Sequence, residues 1–442
     1  MLSDAMTTER TKNAVLGIDF GTSNSAAALI DAHGQLSVIP LNGHSGAMPT
    51  ALFFNNETLT TEYGAQAMQA YLSGTEGRLM RSIKSLLGSK LMEEQTLVNG
   101  HATPFFEIVV MFFKELKARS EAHVGHPIER AMLGRPVHFV DDDAERDALA
   151  QATLGRAAQA AGFTHIDFQL EPIAAAFDFE QRVSTDTTAL VVDIGGGTSD
   201  FTVIRLGPAY SQHTDRSGDI LATTGVHIGG TDFDRLINLS HVMPLLGHKH
   251  IGPSGRAVPN SVFFDLTTWH LIHHAYSRKN MHFARELWTS YADQTLHKRL
   301  MQVLEDQHGH RILANVEAAK IACSVSGETA PVDLDFLRLS GYSTPAGTAP
   351  ALLAPDITPA SMGEALAQAL DQVVQCAVQC VQASGLPSVD VVYLTGGSSA
   401  LQPLMDALQV ALPGATLVPG DRLGGVAAGL AYAGARSTLL NQ

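Results

Sequence analysis

One short hairpin occurs twice in this chain of 442 residues. The first copy, AVLGIDFGTSNSAAALI, starts at Ala14, and the second, TALVVDIGGGTSDFTVIRL, starts at Thr188. Laying Asp19 over Asp193 and Thr22-Ser23 over Thr198-Ser199 leaves only a two-glycine insertion, and the copies stand 174 positions apart, from Asp19 to Asp193. A repeat at nearly half-chain spacing is not a solenoid period. It predicts two similar lobes, each opening on a hairpin whose turn faces phosphate.

Each copy places a carboxylate at a strand end beside backbone amides freed by glycine, and successive N–H groups in such a turn form an anion-binding concavity. Thr22 adds a hydroxyl donor. Two carboxylates cannot face a phosphate unaided. A divalent cation between them removes the repulsion, and magnesium takes one or two carboxylates, waters and substrate phosphates. An ordinary Asp-Gly hairpin turn would explain either copy alone, but not the matched Asp and Thr in both. Two more glycine turns, Gly229-Gly230 before a helix near Asp232 and Gly396-Gly397-Ser398 after an apolar strand, put amides at helix N-termini where phosphate or ribose binds.

The rest of the chain alternates strands with helices, which implies α/β layers. A helix is predicted over DAERDALAQATLGRAAQAAGF, with acids in its first turn where the macrodipole favours them. Glu171-Pro172 opens the next helix, with Pro at a well-placed first turn. The charged share, 17%, is below the usual value of about 25% and goes with a large buried core. A net charge of −15, with no basic runs, argues against nucleic acid as a partner. Three cysteines, Cys323, Cys376 and Cys380, give no disulfide framework, so a reducing compartment is expected. The polar stretch 1–13 reads as a disordered lead-in without an apolar leader core, and no run has transmembrane length. A cytoplasmic monomer without membrane contact is expected. Residues 241–282 are histidine-rich, with His248, His250, His270, His273, His274 and His282. No HExxH pattern or cysteine accompanies them, so a helical subdomain is expected rather than a zinc site.

The order GIDFGT, EPIAAAF, VVDIGGGTSD, GGTDFD and LTGGSS resembles the seventy-kilodalton, DnaK-type heat-shock chaperones of the actin and sugar-kinase superfamily, over residues 14 to 436. GRPVHF and the chain length look most like the YegD group of short chaperone-like proteins. The resemblance implies a two-lobed actin-like ATPase fold, built of duplicated ribonuclease-H-like domains, each a mixed five-stranded sheet with flanking helices. Lobe I would span 14–186, with 421–442 returning to it. Lobe II would span 187–420 with a helical outer part at 235–315, and no peptide-binding domain is expected.

The resemblance also implies the site. RSIKSLLG looks like the segment bearing the catalytic lysine, Lys84, and EPIAAAF like the helix that sets Glu171 near the attacking water. Asp19 and Asp193 would hold Mg²⁺ and its waters, with Asp200 a further carboxylate near the metal or a potassium ion. Gly21, Thr22, Ser23, Gly195, Gly196, Gly197, Thr198, Gly229 and Gly230 would cradle the phosphates of ATP or ADP. Thr22 and Asp193 would also share in catalysis. EAAKIACS resembles the adenosine-contact helix, giving Glu317, Lys320 and Ser324, joined by Gly396, Gly397 and Ser398. Two arginines usual in that pocket are replaced by Ile321 and Ala400, so weaker or less selective adenine binding is expected. The implied activity is slow Mg-dependent ATP hydrolysis whose nucleotide state is read in trans by a co-chaperone or client protein. A sugar-type kinase and a non-hydrolysing nucleotide sensor are the alternatives.

Overall fold

The computed structural model describes residues 14–31, 33–43, 45–140, 143–211, 213, 216–269, 271–337 and 353–440. The lead-in 1–13, His270 and most of the stretch GYSTPAGTAPALLAPDITP lie outside the described residues. The chain divides into two compact units, one of residues 1–230, 372–400 and 404–442, the other of 231–371 and 401–403.

The two largest sheets of the first unit form its frame, and two smaller ones lie within residues 51–104. In the first sheet β1 (Val15–Phe20), β2 (Asn24–Ile30), β3 (Leu36–Val38) and β4 (Ala47–Pro49) are followed by helix α1 (Phe105–Val124), β5 (Arg130–Arg135), α2 (Ala144–Ala160), β6 (His165–Leu170) and α3 (Glu171–Glu180). The second sheet uses β7 (Thr187–Ile194), β8 (Ser199–Leu206) and β9 (Ile220–Val226). After α4 (Pro359–Ala383) come β10 (Val391–Thr395), α5 (Gln402–Ala411), β11 (Thr416–Pro419) and α6 (Gly425–Leu440).

Strand order is β6-β5-β1-β2-β3 in the first sheet and β11-β10-β7-β8-β9 in the second. In both, the hairpin pair and its outer neighbour are antiparallel, and the two strands on the other side are parallel. The duplication read in the two hairpins therefore extends to whole sheets of the same topology. The expected α/β architecture with mixed, helix-flanked sheets holds. The first sheet has a sixth strand, yet it is five positions wide. β3 pairs with Ala28–Ile30 and β4 with Asn24–Ala26, so the two short strands share one edge end to end. The hairpin strands are apolar on both faces because both faces are covered.

Local signals account for the helices that matter to the site. Asp143 caps α2, its carboxylate accepting from the N–H of Arg146 at 3.0 Å, with Glu145 and Asp147 in the first turn. α3 opens on Glu171-Pro172 as the sequence predicts. It buries Ala174, Ala175 and Ala176 completely against α6, whose own small residues Ala427, Ala428 and Gly429 let the helix backbones touch. At the far end of α3, Glu180 accepts a two-point ion pair from Arg216 (2.7 and 2.9 Å) and approaches Arg436 of α6 at 3.5 Å. Both guanidinium groups lie over Phe177, 5.4 and 5.1 Å from its centroid. Cys380 is buried and Cys376 half-buried on α4, their sulfurs 3.7 Å from the carbonyl of Ala222 and 3.5 Å from the hydroxyl of Thr224.

The second unit is mainly helical, with its longest complete helix at Gly309–Ser326. Its histidines act as clamps on the backbone. His297 donates to the carbonyl of Ala284 at 2.9 Å, and His248 contacts that of Leu239 at 3.1 Å. His250 Nε2 accepts from the N–H groups of Ala292 and Asp293 at 3.1 and 3.3 Å. Among the described residues no group of three or more His, Cys, Asp or Glu side chains is arranged to hold a metal ion. Nor is any helix among them long and apolar enough to cross a membrane.

The contact between α3 and α6 makes a prediction. A Cβ on Gly429 would lie 1.7 Å from the carbonyl oxygen of Ala174. Gly429→Ala should therefore lose about 1–3 kcal/mol of stability or more through overpacking. An unaltered thermal midpoint for this variant would contradict so close an approach.

Candidate functional site

The two duplicated turns meet. A side chain on Gly196 would place its Cβ 2.3 Å from Ser23 Oγ, and one on Gly197 would come within 3.0 Å of Thr22 Oγ1. Glycine is thus required where the second turn faces the first. Each turn is braced from behind. The hydroxyl of Thr50, fully buried, donates to the carbonyl of Gly21 at 2.8 Å and lies 2.7 Å from Ser25 Oγ. In the second turn Gly195 N–H donates to the carbonyl of Thr198 at 3.0 Å. Gly230 N–H donates to the carbonyl of Gly195 at 2.9 Å, and Ser398 N–H to that of Ile194 at 3.1 Å. The four glycine-containing turns picked out in the sequence therefore share one neighbourhood.

Carboxylates gather beside them. Asp19, half-buried, lies opposite Ala26 on the neighbouring strand, whereas Asp193 lies opposite Asp200. The second copy thus supplies two acids where the first supplies one. Glu171, at the start of α3, is the fourth. Lys84 Nζ bonds to Glu171 Oε1 at 2.7 Å, with both side chains 8% exposed. Lys84 stands in the short turn Ile83–Leu86, which follows Ser82 in a left-handed conformation, φ 55°. That backbone costs about 1 kcal/mol or more for a non-glycine residue.

One ammonium does not offset four enclosed acids. Burial, followed by repulsion from Glu171, raises Asp19 to about 7 despite Lys84. Burial and then Glu171 also raise Asp200 to about 7, against hydrogen bonds from Thr198 and the Val137 N–H. Asp193 is pushed well above the carboxylate range by burial and then by Glu171, Asp19 and Asp200. Burial opposes the charge on Lys84, but Glu171, Asp19 and Asp200 outweigh it and raise its pKa. A cation would relieve this strain, and an all-oxygen donor set suits a hard ion such as magnesium. The acids do not form a preformed cage, so water or phosphate oxygens would have to complete the coordination.

The structure brings together Asp19, Asp193, Asp200, Glu171 and Lys84 with Gly21, Thr22, Ser23, Gly195, Gly196, Gly197, Thr198, Gly229, Gly230 and Ser398, all in the first unit. Gly396 adjoins them, since its Cβ would lie 2.6 Å from Asp193 Oδ1, while Gly397 is exposed. Glu317, Lys320 and Ser324 belong to the second unit. There Lys320 is buried and its ammonium is 2.8 Å from Asp234, while the Ser324 hydroxyl donates to its own helix at the carbonyl of Lys320. Ile321 and Val325 are exposed on that helix, at 52% and 70%. Sequence reasoning did not find Thr50, Asp234 or the Val137 N–H, which donates to Asp200 Oδ1 at 2.7 Å. None carries a local signal, because each acts on a partner far away in the chain.

A family model described as "Hsp70 protein" matches residues 15–250, just over half of the chain. The chain is 31% identical over 229 residues to the chaperone protein DnaK of Ureaplasma urealyticum, covering 51% of this chain and 34% of the relative. With DnaK of Thermotoga neapolitana it shares 32% over 232 residues, 51% of this chain and 35% of that one. With DnaK of Thermosipho melanesiensis it shares 30% over 230 residues, again 51% and 35%. The matched stretch spans about a third of the length of these relatives.

The acid cluster has a pH signature. An unfolded aspartate titrates near about 3.9, whereas Asp19 and Asp200 sit at about 7. Between those values the folded, cation-free protein binds more protons than the unfolded chain, so raising the pH through this window removes stability. In chelator, the thermal midpoint of the wild type should fall from pH 5 to pH 8, and that of Asp200→Asn should fall less. Added Mg²⁺ should narrow the gap at pH 8. Parallel pH curves for the two proteins would contradict the assignment.

Proposed function

This chain belongs to the Hsp70 family, and on that footing we propose that it is a chaperone-like ATP-binding protein that hydrolyses ATP slowly with Mg²⁺ and reports its nucleotide state to a separate partner. The observation that carries this reading is the buried Lys84–Glu171 pair facing three aspartates beside two opposed glycine turns. Phosphoryl transfer to water asks for positioning and charge neutralisation rather than covalent chemistry by the protein.

In this reading the amides of Gly195, Gly196 and Gly197, with Gly21, Thr22, Ser23 and Thr198, hold the phosphates, supported by Gly229 and Gly230. Glu171, with Oε1 taken by Lys84, orients water through its other oxygen. Lys84 neutralises charge growing on the transferred phosphoryl group. Thr22 and Asp193 steady that group. Asp19 and Asp193 hold Mg²⁺ and its waters, with Asp200 nearby for the metal or a potassium ion. When bound, the metal offsets phosphate charge and polarises the leaving group. One P–O bond to water forms as the bond to ADP breaks, and the released proton leaves with phosphate or through Glu171. Asp200 is held by the Val137 N–H, so its oxygens are fixed before any ion arrives.

Glu317, Lys320 and Ser324, with Gly396, Gly397 and Ser398, are proposed to contact adenosine, Lys320 acting through its pair with Asp234. Lobe closure, a co-chaperone or client acting in trans and a cytoplasmic setting complete the proposal. The proposed lobes are 14–186 with 421–442, and 187–420, a division by duplicated copy that differs from the division into compact units.

Phosphate release assays test the chemistry. Lys84→Ala and Glu171→Ala should each lower ATP turnover by about 10²-fold or more, while calorimetry still detects ATP binding. Phosphate appearing on an added sugar, or a wild type with no turnover, would overturn the hydrolytic assignment. A second measurement concerns the base. Restoring a guanidinium with Ile321→Arg should tighten ATP binding by about 2- to 30-fold, the equivalent of about 0.5–2 kcal/mol of cation–π energy, with a smaller gain for GTP. Equal or weaker ATP binding would place position 321 away from the base.

A further inference from the structure

The stretch Pro136–Phe139 leaves the end of β5 and touches the candidate site twice. The Val137 N–H donates to Asp200 Oδ1 at 2.7 Å, and Lys84 Nζ lies 5.9 Å from the centroid of the Phe139 ring. No strand ladder fixes these residues, because β5 ends at Arg135.

Arg135 fixes them instead. Its Nε donates to the carbonyl of Pro136 at 2.9 Å, and its Nη2 to that of Val137 at 3.0 Å. The same Nη2 bonds Asp147 Oδ2 at 2.9 Å, and Nη1 bonds Gln151 Oε1 at 2.5 Å. Asp147 Oδ1 then accepts from the Phe139 N–H at 2.6 Å, so the clamp closes on both ends of the stretch. The guanidinium also lies 5.4 Å from the Phe139 centroid. Asp147 and Gln151 are one helical turn apart on α2 and project from one face. Arg135 and Asp147 are only 18% and 16% exposed. Enclosing a charge pair to this degree seldom adds net stability, so its value is in geometry. A planar fork with five donors serves four acceptors at once, which a single ammonium cannot do.

We propose that Arg135, with Asp147 and Gln151, is a positioning clamp for the reaction. It holds the Val137 amide on Asp200 and the Phe139 ring beside Lys84, and so sets the rate of the chemical step without touching the nucleotide. The inference rests on the hydrolytic reading above, but one arm of its test does not.

The full chain would be compared as wild type, Arg135→Lys and Gln151→Ala. The lysine variant keeps the charge and loses the fork, and the alanine variant removes one contact in four. In nucleotide-free protein, hydrogen exchange at the amides of Val137, His138 and Phe139 should quicken at least 10-fold in Arg135→Lys and by a smaller factor in Gln151→Ala. In turnover assays with saturating Mg²⁺, kcat should fall at least 10-fold in Arg135→Lys while the Kd for ATP stays within threefold. Exchange and kcat within twofold of wild type in Arg135→Lys would overturn the proposal. So would a lower thermal midpoint with kcat intact, the mark of a purely structural role. Should the wild type show no turnover, the hydrolytic reading fails by itself, and the exchange arm still decides whether the clamp exists.

Discussion

The backbones of α3 and α6 touch where the carbonyl of Ala174 meets Gly429, and the arrangement of the first unit follows from that contact. Each helix closes one copy of the duplicated fold, coming straight after the last strand of its sheet. Joined through alanine and glycine, they hold the two copies so that Gly196 faces Ser23 and Gly197 faces Thr22. Bulkier residues on either helix would separate the turns. The same helix that makes the contact begins with Glu171, so the joining of the two copies also places the acid that pairs with Lys84.

Charge is the second constraint. Folding encloses Asp19, Asp193, Asp200 and Glu171 around a single lysine, an arrangement that in isolation opposes the folded state. Such a cluster makes physical sense when positive charge arrives from outside. The stability given up without a ligand becomes a preference for the ligand when it comes, because binding relieves repulsion already built into the site.

Much of this was legible in the sequence because the signals were local and doubled. The hairpins, their aspartates, the glycine turns and the Glu171-Pro172 helix start are encoded within a few residues of one another, and the duplication distinguishes them from ordinary turns. The α/β layering follows from the alternation of strands and helices, whereas the mixed character of the sheets was implied by the family resemblance alone. What stayed hidden depends on distant pairing. Thr50 braces Gly21 from 29 residues away, and Val137 reaches Asp200 across 63. Nothing in EAAKIACS shows that Lys320 would be taken up by Asp234. The division of one sheet edge between β3 and β4 was equally invisible, because two three-residue strands leave almost no periodicity to detect.

The ion pairs at the other end of α3 have a mechanical consequence. Glu180 is fastened to Arg216 and drawn toward Arg436, while Glu171, nine residues earlier, bonds to Lys84 at 2.7 Å. Ten helical residues make a rigid rod of about 15 Å. The rod is held at one end by arginines and near the other by the contact of Ala174 with Gly429. Its inflexibility means that the Glu171 carboxylate stays where the packing of the whole helix puts it, about 15 Å from the residues that anchor Glu180.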